Sequence, residues 1–202
     1  LPFSFDGQVV GDQLYIRTNF GAPNYRLFVV DPCSPGQAGW REIVATRADA
    51  VLDGVMITRT RLVLSYLERA TSRLQLTALD GTSRTELVLP TIGSVFGWGA
   101  ESDGMELFYG FSSYTVPPSV YRVDLSTGVT TLWRRVEADI QPEQFAVQQV
   151  TYPSRDGTPV TMFLVHRADL RRDGSAPAYL TGYGGFNISM TPGFSRSLLA
   201  WL

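Results

Sequence analysis

The chain has 202 residues, of which 44% are hydrophobic and 18% are charged. This composition is typical of a soluble globular protein with a sizeable core. A net charge of -2 and a pI near 5.4 argue against a nucleic-acid-binding surface. All 17 basic residues are arginine, which we attribute to a coding bias of the source rather than to a site.

The single cysteine excludes an internal disulfide and a multi-cysteine metal site. Cys33 lies in the turn-rich stretch DPCSPG and is interpreted as a turn residue. No apolar run reaches the length of a membrane span, and the N-terminus lacks a signal-peptide pattern. We therefore expect no membrane partner, although a leader could have preceded Leu1 in a longer precursor.

The first two-thirds of the chain contain a repeat. Strand-like runs begin at Leu14, Leu62 and Leu107, about 45 to 48 residues apart. Each is followed by a turn and a second strand, in the order RLFVVDP, RLQLTALDG and VYRVDLSTG. Repeats of this length with about four short strands are typical of β-propeller blades. An ordinary β-sandwich with coincidental spacing is the alternative.

Three blades cannot close a ring, and they would leave unpaired strand edges. Either other chains complete the ring or the chain is a segment of something longer. The final run RSLLAWL, for which Ser195 is a candidate helix N-cap, stops within an apolar stretch. We therefore expect a segment of a longer protein.

The pattern changes near EADIQPEQFA. Two alternating strands joined by the turn SRDGTP predict a hairpin toward a sheet edge. The short apolar run Ala178-Tyr179-Leu180 then predicts a buried central strand, which leads into the turn TGYGGFN.

No complete catalytic set is present. His166 is the only histidine, and its position at a strand end favours a structural or solvent-facing role. No G-x-S-x-G nucleophile elbow, HExxH or Cys/His metal pattern occurs, so neither a metal nor a cofactor is predicted. The carboxylates lie mostly in turns, where they cap the backbone: Asp31, Asp80, Asp124 and Asp156.

The glycine turn after the predicted buried strand is the remaining candidate. Such a turn can expose backbone N–H groups and aim the phenol of Tyr183 from a rigid base, which suits stabilisation of an oxyanion. The alternative is that the glycines merely permit a tight turn, with Tyr183 and Phe186 packed as core; the pattern alone favours this alternative. A phosphate cradle is a weaker interpretation, because no P-loop spacing follows.

The sequence resembles the prolyl oligopeptidase family of serine peptidases. The resemblance is carried by GYGGFNISMTP, by YPSRDGTPVTMFLVHRADLRRDGSAPAYL, and by the repeat segments APNYRLFVVD and LFYGFSSYTVPPSVYRVDL. It implies a mostly β chain: the last three or so blades of a seven-bladed propeller in 1–140, then the first strands of an α/β-hydrolase domain in 141–202.

The resemblance also implies roles for individual residues. Tyr183 matches the family's oxyanion-hole tyrosine, and Phe186 matches an aromatic that lines the pocket for the substrate proline. The serine, aspartate and histidine of the triad lie downstream of Leu202 in family members, so we expect this chain alone to be inactive. His166 does not occupy the position of the catalytic histidine.

The expected partners are short proline-containing peptides, cleaved on the carboxyl side of proline, and the remainder of the same enzyme. The expected location is soluble, in a bacterial cytoplasm or periplasm, without nucleic acid. A non-catalytic propeller that binds a protein or peptide is the alternative function, supported by the repeats alone.

Overall fold

The computed structural model describes residues 3–186 and 188–202. These residues form fourteen strands and one short α-helix, and twelve of the strands build three four-stranded antiparallel sheets. The first sheet contains β1 (Phe5–Val10), β2 (Gln13–Thr18), β3 (Arg26–Val30) and β4 (Arg41–Val44). The second contains β5 (Val51–Ile57), β6 (Arg61–Glu68), β7 (Thr71–Ala78) and β8 (Thr85–Leu87). The third contains β9 (Ser94–Ala100), β10 (Glu106–Ser112), β11 (Ser119–Asp124) and β12 (Thr130–Arg135).

The three sheets confirm the repeat that the sequence predicts. The runs at Leu14, Leu62 and Leu107 are the second strands of the three sheets, and each sheet keeps its strands in chain order. This uninterrupted meander has no crossover between sheets, unlike the Greek-key connections of most β-sandwiches. The described architecture is therefore that of successive propeller blades.

A turn in each of the three sheets contains the same hydrogen bond, from a backbone N–H to an aspartate side chain. The carboxylates of Asp31, Asp80 and Asp124 each accept a hydrogen bond from the backbone N–H two residues later, at 2.8–2.9 Å. Hydrogen bonds from the hydroxyls of Thr82 and Ser126 are the main reason why the pKa values of Asp80 and Asp124 are lowered. The predicted capping role of these carboxylates is confirmed.

The middle sheet is buried on both faces. Leu62, Leu64 and Tyr66 of β6 pack with the first sheet. Val63, on the opposite face of the same strand, packs with the third sheet around Phe111. Because successive side chains of a strand point to opposite faces, a strand between two cores must be apolar at nearly every position. This requirement accounts for the run LVLSYL.

The residues after β12 form a two-stranded sheet and a short helix. Strands β13 (Phe145–Pro153) and β14 (Pro159–Arg167) pair as a two-stranded antiparallel sheet, which confirms the predicted hairpin. Helix α1 (Arg196–Trp201) follows Ser195, whose hydroxyl accepts a hydrogen bond from the Leu198 N–H at 3.4 Å, so the predicted N-cap is also confirmed. No helix among the described residues is long and apolar enough to cross a membrane.

The predicted buried strand at 178–180 is wrong for the described structure. The segment has no regular secondary structure, and the side chains of Tyr179 and Leu180 are 65% and 83% exposed. A central strand needs hydrogen-bonding partners on both sides, and β13 and β14 pair only with each other. Beyond the three sheets, the described residues form a 3-10 turn at Pro142–Gln144, the hairpin and α1, which do not make up an α/β-hydrolase fold.

Gly81, in the turn between β7 and β8, lies directly against Ile43 of the first sheet. It has a φ of +84°, and an added Cβ would lie 1.9 Å from the carbonyl oxygen of Ile43 in β4. We expect Gly81→Ala to lower the free energy of unfolding by about 2–5 kcal/mol, because left-handed strain and steric overlap add. Urea unfolding measures this loss.

Gly11→Ala is the matched control. Gly11 also has a positive φ, +60°, but open space surrounds the position of its missing Cβ. We expect Gly11→Ala to lower the free energy of unfolding by only about 1–2 kcal/mol, the cost of the left-handed conformation alone. If Gly81→Ala and Gly11→Ala lowered the free energy of unfolding equally, a steric clash between residue 81 and Ile43 would be contradicted.

Tyr109 makes stability sensitive to alkali. Its side chain is buried in the second core, and burial is the main reason why its pKa is raised from 10.0 to about 12. The neighbouring Tyr121 also raises the pKa of Tyr109, and the Thr130 hydroxyl lowers it. Neither the Tyr109 nor the Thr130 hydroxyl has a hydrogen-bond partner of normal geometry among the described residues. Between pH 10 and about 12 the unfolded chain loses the tyrosine proton while the folded chain keeps it, so stability falls as pH rises.

We expect Tyr109→Phe to reduce this alkaline loss and to leave stability at pH 7 unchanged or higher, because an unpaired buried hydroxyl is removed. Unfolding midpoints between pH 7 and pH 12 measure both effects. An identical alkaline loss in the variant would show that Tyr109 does not cause it.

Candidate functional site

The candidate site lies in the irregular segment between β14 and α1. Residues 178–186 carry the glycine turn, and both candidate side chains are exposed: Tyr183 by 52% and Phe186 by 92%. The alternative in which these aromatics are packed as core therefore does not hold in the described structure. Two large aromatic side chains are instead presented at the surface.

The turn is built differently from the pattern that the sequence suggests. Phe186, rather than a glycine, has the left-handed conformation, with a φ of +54°. The Ile188 N–H donates to the Gly185 carbonyl oxygen at 3.1 Å and closes the turn. A bulky residue in this region of backbone space is strained, and such strain is concentrated at functional sites.

Gly185 lies directly beneath the Tyr183 ring. An added Cβ there would lie 3.2 Å from the Tyr183 hydroxyl oxygen and 3.4 Å from its Cζ, so the tyrosine ring folds back over Gly185. Gly182 and Gly184 have open space around them. The turn thus brings the Tyr183 phenol back over its own backbone, and a side chain at 185 would require the exposed tyrosine ring to shift slightly.

His166 is held by two partners and has no catalytic geometry. Its Nδ1 lies 2.7 Å from the Arg167 carbonyl oxygen, and its Nε2 lies 2.8 Å from Nη2 of Arg172. Because a guanidinium can only donate, Nε2 accepts and Nδ1–H donates, which assigns the neutral tautomer. The two ring nitrogens contact a backbone carbonyl and an arginine rather than a serine hydroxyl, in agreement with the structural or solvent-facing role predicted for His166.

Charged groups of the hairpin and of the residues just after it make hydrogen bonds and an ion pair with close sequence neighbours. Asp156, in the β13–β14 turn, accepts from the Ser154 hydroxyl and from the Thr158 N–H at 3.0 Å; the hydrogen bond from Ser154 is the main reason its pKa is lowered to about 2. Arg167 pairs with Asp169 at 3.0 Å, which lowers the pKa of that carboxyl. Within the described residues, no group of His, Cys, Asp and Glu side chains could hold a metal ion.

Two contact residues that the sequence did not single out hold the far end of this segment. Ser94 and Ser112, both in the third sheet, bond to the backbone of Pro192 and Phe194. Serines in strands carry no pattern that would distinguish them from ordinary polar positions. Only their three-dimensional placement identifies them.

The comparisons with known proteins extend over nearly the whole chain. The description "Prolyl oligopeptidase, N-terminal beta-propeller domain" matches residues 4–136. A prolyl endopeptidase of Elizabethkingia miricola is 30% identical over 95% of this chain and 27% of its own length. A prolyl oligopeptidase A of Amanita bisporigera is 32% identical over 95% of this chain and 26% of its own length.

Solved structures of prolyl endopeptidases and oligopeptidases are also similar to this chain. A structure from work on two prolyl endopeptidases, concerning inter-domain dynamics in catalysis and specificity, has a TM-score of 0.92 and 41% identity over 100% of this chain and 30% of that chain. Prolyl oligopeptidase B from Galerina marginata, without ligand, has a TM-score of 0.85 and 26% identity over 99% of this chain and 29% of that chain. The chain thus spans under a third of the length of these relatives. It belongs to the prolyl oligopeptidase family, and residues 4–136 match the N-terminal β-propeller domain of that family.

Proposed function

We propose that this chain is part of a serine endopeptidase that hydrolyses short peptides on the carboxyl side of proline. The observation that carries the proposal is the similarity to prolyl endopeptidases, which covers 95% of the chain in sequence and 100% in structure. Residues 1–140 are the propeller portion, and 141–202 begin the peptidase portion. A serine, an aspartate and a histidine outside this chain complete the active site.

The oxyanion donor is Tyr183. In acyl transfer, the carbonyl oxygen of the substrate gains negative charge as the tetrahedral intermediate forms, and a fixed O–H donor stabilises that charge. The exposure of the Tyr183 side chain, 52%, supports this role, because the phenol is open to a substrate that the remainder of the enzyme brings. The second donor is a backbone N–H of the part that carries the nucleophile.

Phe186 forms one wall of the proline pocket. It is 92% exposed and held in a strained left-handed conformation, which is an unfavourable arrangement for an aromatic residue without a partner. A flat apolar ring of this kind complements the pyrrolidine ring of a bound proline. The strain and the exposure together support a binding role rather than a packing role.

The first and third sheets expose large apolar side chains that further sheets could cover. The first sheet exposes Phe5 by 44%, and the third exposes Leu132 and Trp133 by 50% and 55%. In the complete enzyme, further blades of the same propeller cover these side chains. The closed ring then limits access to small peptides, so the remainder of the enzyme is the first partner of this chain.

We expect Tyr183→Phe in the complete enzyme to lower kcat by about 10²- to 10³-fold, the usual loss for one oxyanion donor. KM should change little, because the donor acts in the transition state. Steady-state kinetics on a short proline peptide measure both constants.

Tyr179→Phe is the matched control, since it removes another exposed phenol from the same segment. It should keep the kcat of the wild type. Normal turnover in the Tyr183 variant would remove this residue from the mechanism. If the wild-type enzyme hydrolyses no proline peptide at all, the non-catalytic binding propeller becomes the better function.

We expect Phe186→Ala to reduce the preference for proline over alanine at the cleaved bond by about 1–3 kcal/mol, the range for a lost apolar contact. The ratio of kcat/KM for two peptides that differ only at this residue measures the preference. Leu180→Ala, which removes an exposed apolar side chain nearby, should leave the ratio unchanged. Equal losses of Phe186→Ala on both peptides would rule out the pocket assignment.

A further inference from the structure

Two serines of the third sheet hold the backbone on both sides of Gly193. The Ser94 hydroxyl donates to the Pro192 carbonyl oxygen at 2.6 Å. The Phe194 N–H donates to the Ser112 hydroxyl oxygen at 3.0 Å. One serine thus acts as donor and the other as acceptor, and together they satisfy a C=O and an N–H of the docked segment. We call this pair of serines, with residues 192–194, the serine clasp.

The serines are themselves firmly placed. Ser94 begins β9 and Ser112 ends β10, and the two are register partners across the antiparallel pair. Ser112 is 7% exposed. An added Cβ at the neighbouring Gly93 would lie 2.2 Å from the Phe111 ring and 2.6 Å from the Ser112 carbonyl oxygen, so β10 lies tightly against this turn. The hydroxyls therefore project from a rigid part of the third sheet.

The docked residues differ from the segment around them. Most of the described residues between 168 and 191 are exposed, whereas Pro192 is buried and Phe194 is half-buried. Ser195 follows directly and caps α1. The clasp is therefore the point at which an otherwise exposed segment becomes attached before the helix begins.

The other end of the segment is attached as well. The Gln149 side chain of β13 donates to the Arg69 carbonyl oxygen of the β6–β7 turn at 2.6 Å. The Phe163 ring of β14 contacts that of Tyr114 at a centroid distance of 5.6 Å. The turn with Tyr183 and Phe186 thus lies between two attachments to the propeller sheets, namely the hairpin and the serine clasp.

We propose that Ser94 and Ser112 are positioning residues, which fix the turn that carries Tyr183 and Phe186 against the propeller. They touch neither substrate nor the reacting atoms and act through the backbone of residues 192–194. The positioning role rests on the function proposed above. Loss of the clasp lets this turn drift, and misplacement of about 1 Å can cost a large factor in rate.

The test uses the complete enzyme with Ser94→Ala, Ser112→Ala and the double variant. Hydrogen exchange at the Phe194 amide should be about tenfold faster in the two variants that lack the Ser112 hydroxyl, because its hydrogen-bond acceptor is removed. In the double variant, kcat on a short proline peptide should fall about 3- to 30-fold, and KM should stay within about twofold. Ser94→Thr, which retains a hydroxyl, should keep most of the wild-type kcat.

Ser119→Ala is the matched control, since its buried hydroxyl donates to the Pro117 carbonyl oxygen at 2.8 Å within the propeller. It should change neither exchange at Phe194 nor kcat. Unchanged exchange in Ser112→Ala overturns the clasp, and faster exchange with wild-type kcat in the double variant overturns the positioning role. The exchange measurement needs no turnover, so it still tests the clasp if Tyr183→Phe shows that the proposed oxyanion donor is wrong. If the double variant does not fold, Ser112→Ala supplies the exchange measurement, and wild-type kcat in both single variants overturns the positioning role.

Discussion

The burial of β6 on both faces is the constraint on which the described fold depends. Its side chains alternate between two cores, one shared with the first sheet and one with the third. Leu62, Val63 and Leu64 have no exposed surface at all. Since apolar burial is the dominant favourable contribution to folding, the middle sheet joins its two neighbours into one stack. The relative placement of the sheets follows from this strand.

The stack in turn supports the candidate site. The hairpin rests on the β6–β7 turn, and the segment after the glycine turn rests on the third sheet. Tyr183 and Phe186 lie between these attachments, in a stretch that lacks regular secondary structure among the described residues. A rigid sheet stack that carries an exposed irregular segment is a common arrangement, because a scaffold can hold the ends of a loop in place.

The local sequence pattern was sufficient to predict many of the strands in the propeller portion. Alternation and turn residues predicted the second and third strands of each sheet, the hairpin near SRDGTP and the N-cap at Ser195. These features depend on neighbours in the sequence, such as an aspartate that accepts from the N–H two residues later. The prediction of a buried strand at 178–180 was wrong, because an apolar run becomes a buried strand only where partner strands are present to pair with it. Its side chains are exposed, with no strand beside them in the described residues.

By itself, the sequence determined the β-rich class, the threefold repeat, the family resemblance and the candidate residues Tyr183 and Phe186. Each of these depends on residue type and on short-range spacing. Tertiary structure decided that Phe186, and not a glycine, has the left-handed conformation, and that both aromatics are exposed. It also decided that Ser94 and Ser112 hold Pro192 and Phe194, which lie 98 and 82 residues away along the chain. Contacts over such separations depend on how the sheets pack, and short-range spacing does not encode that packing.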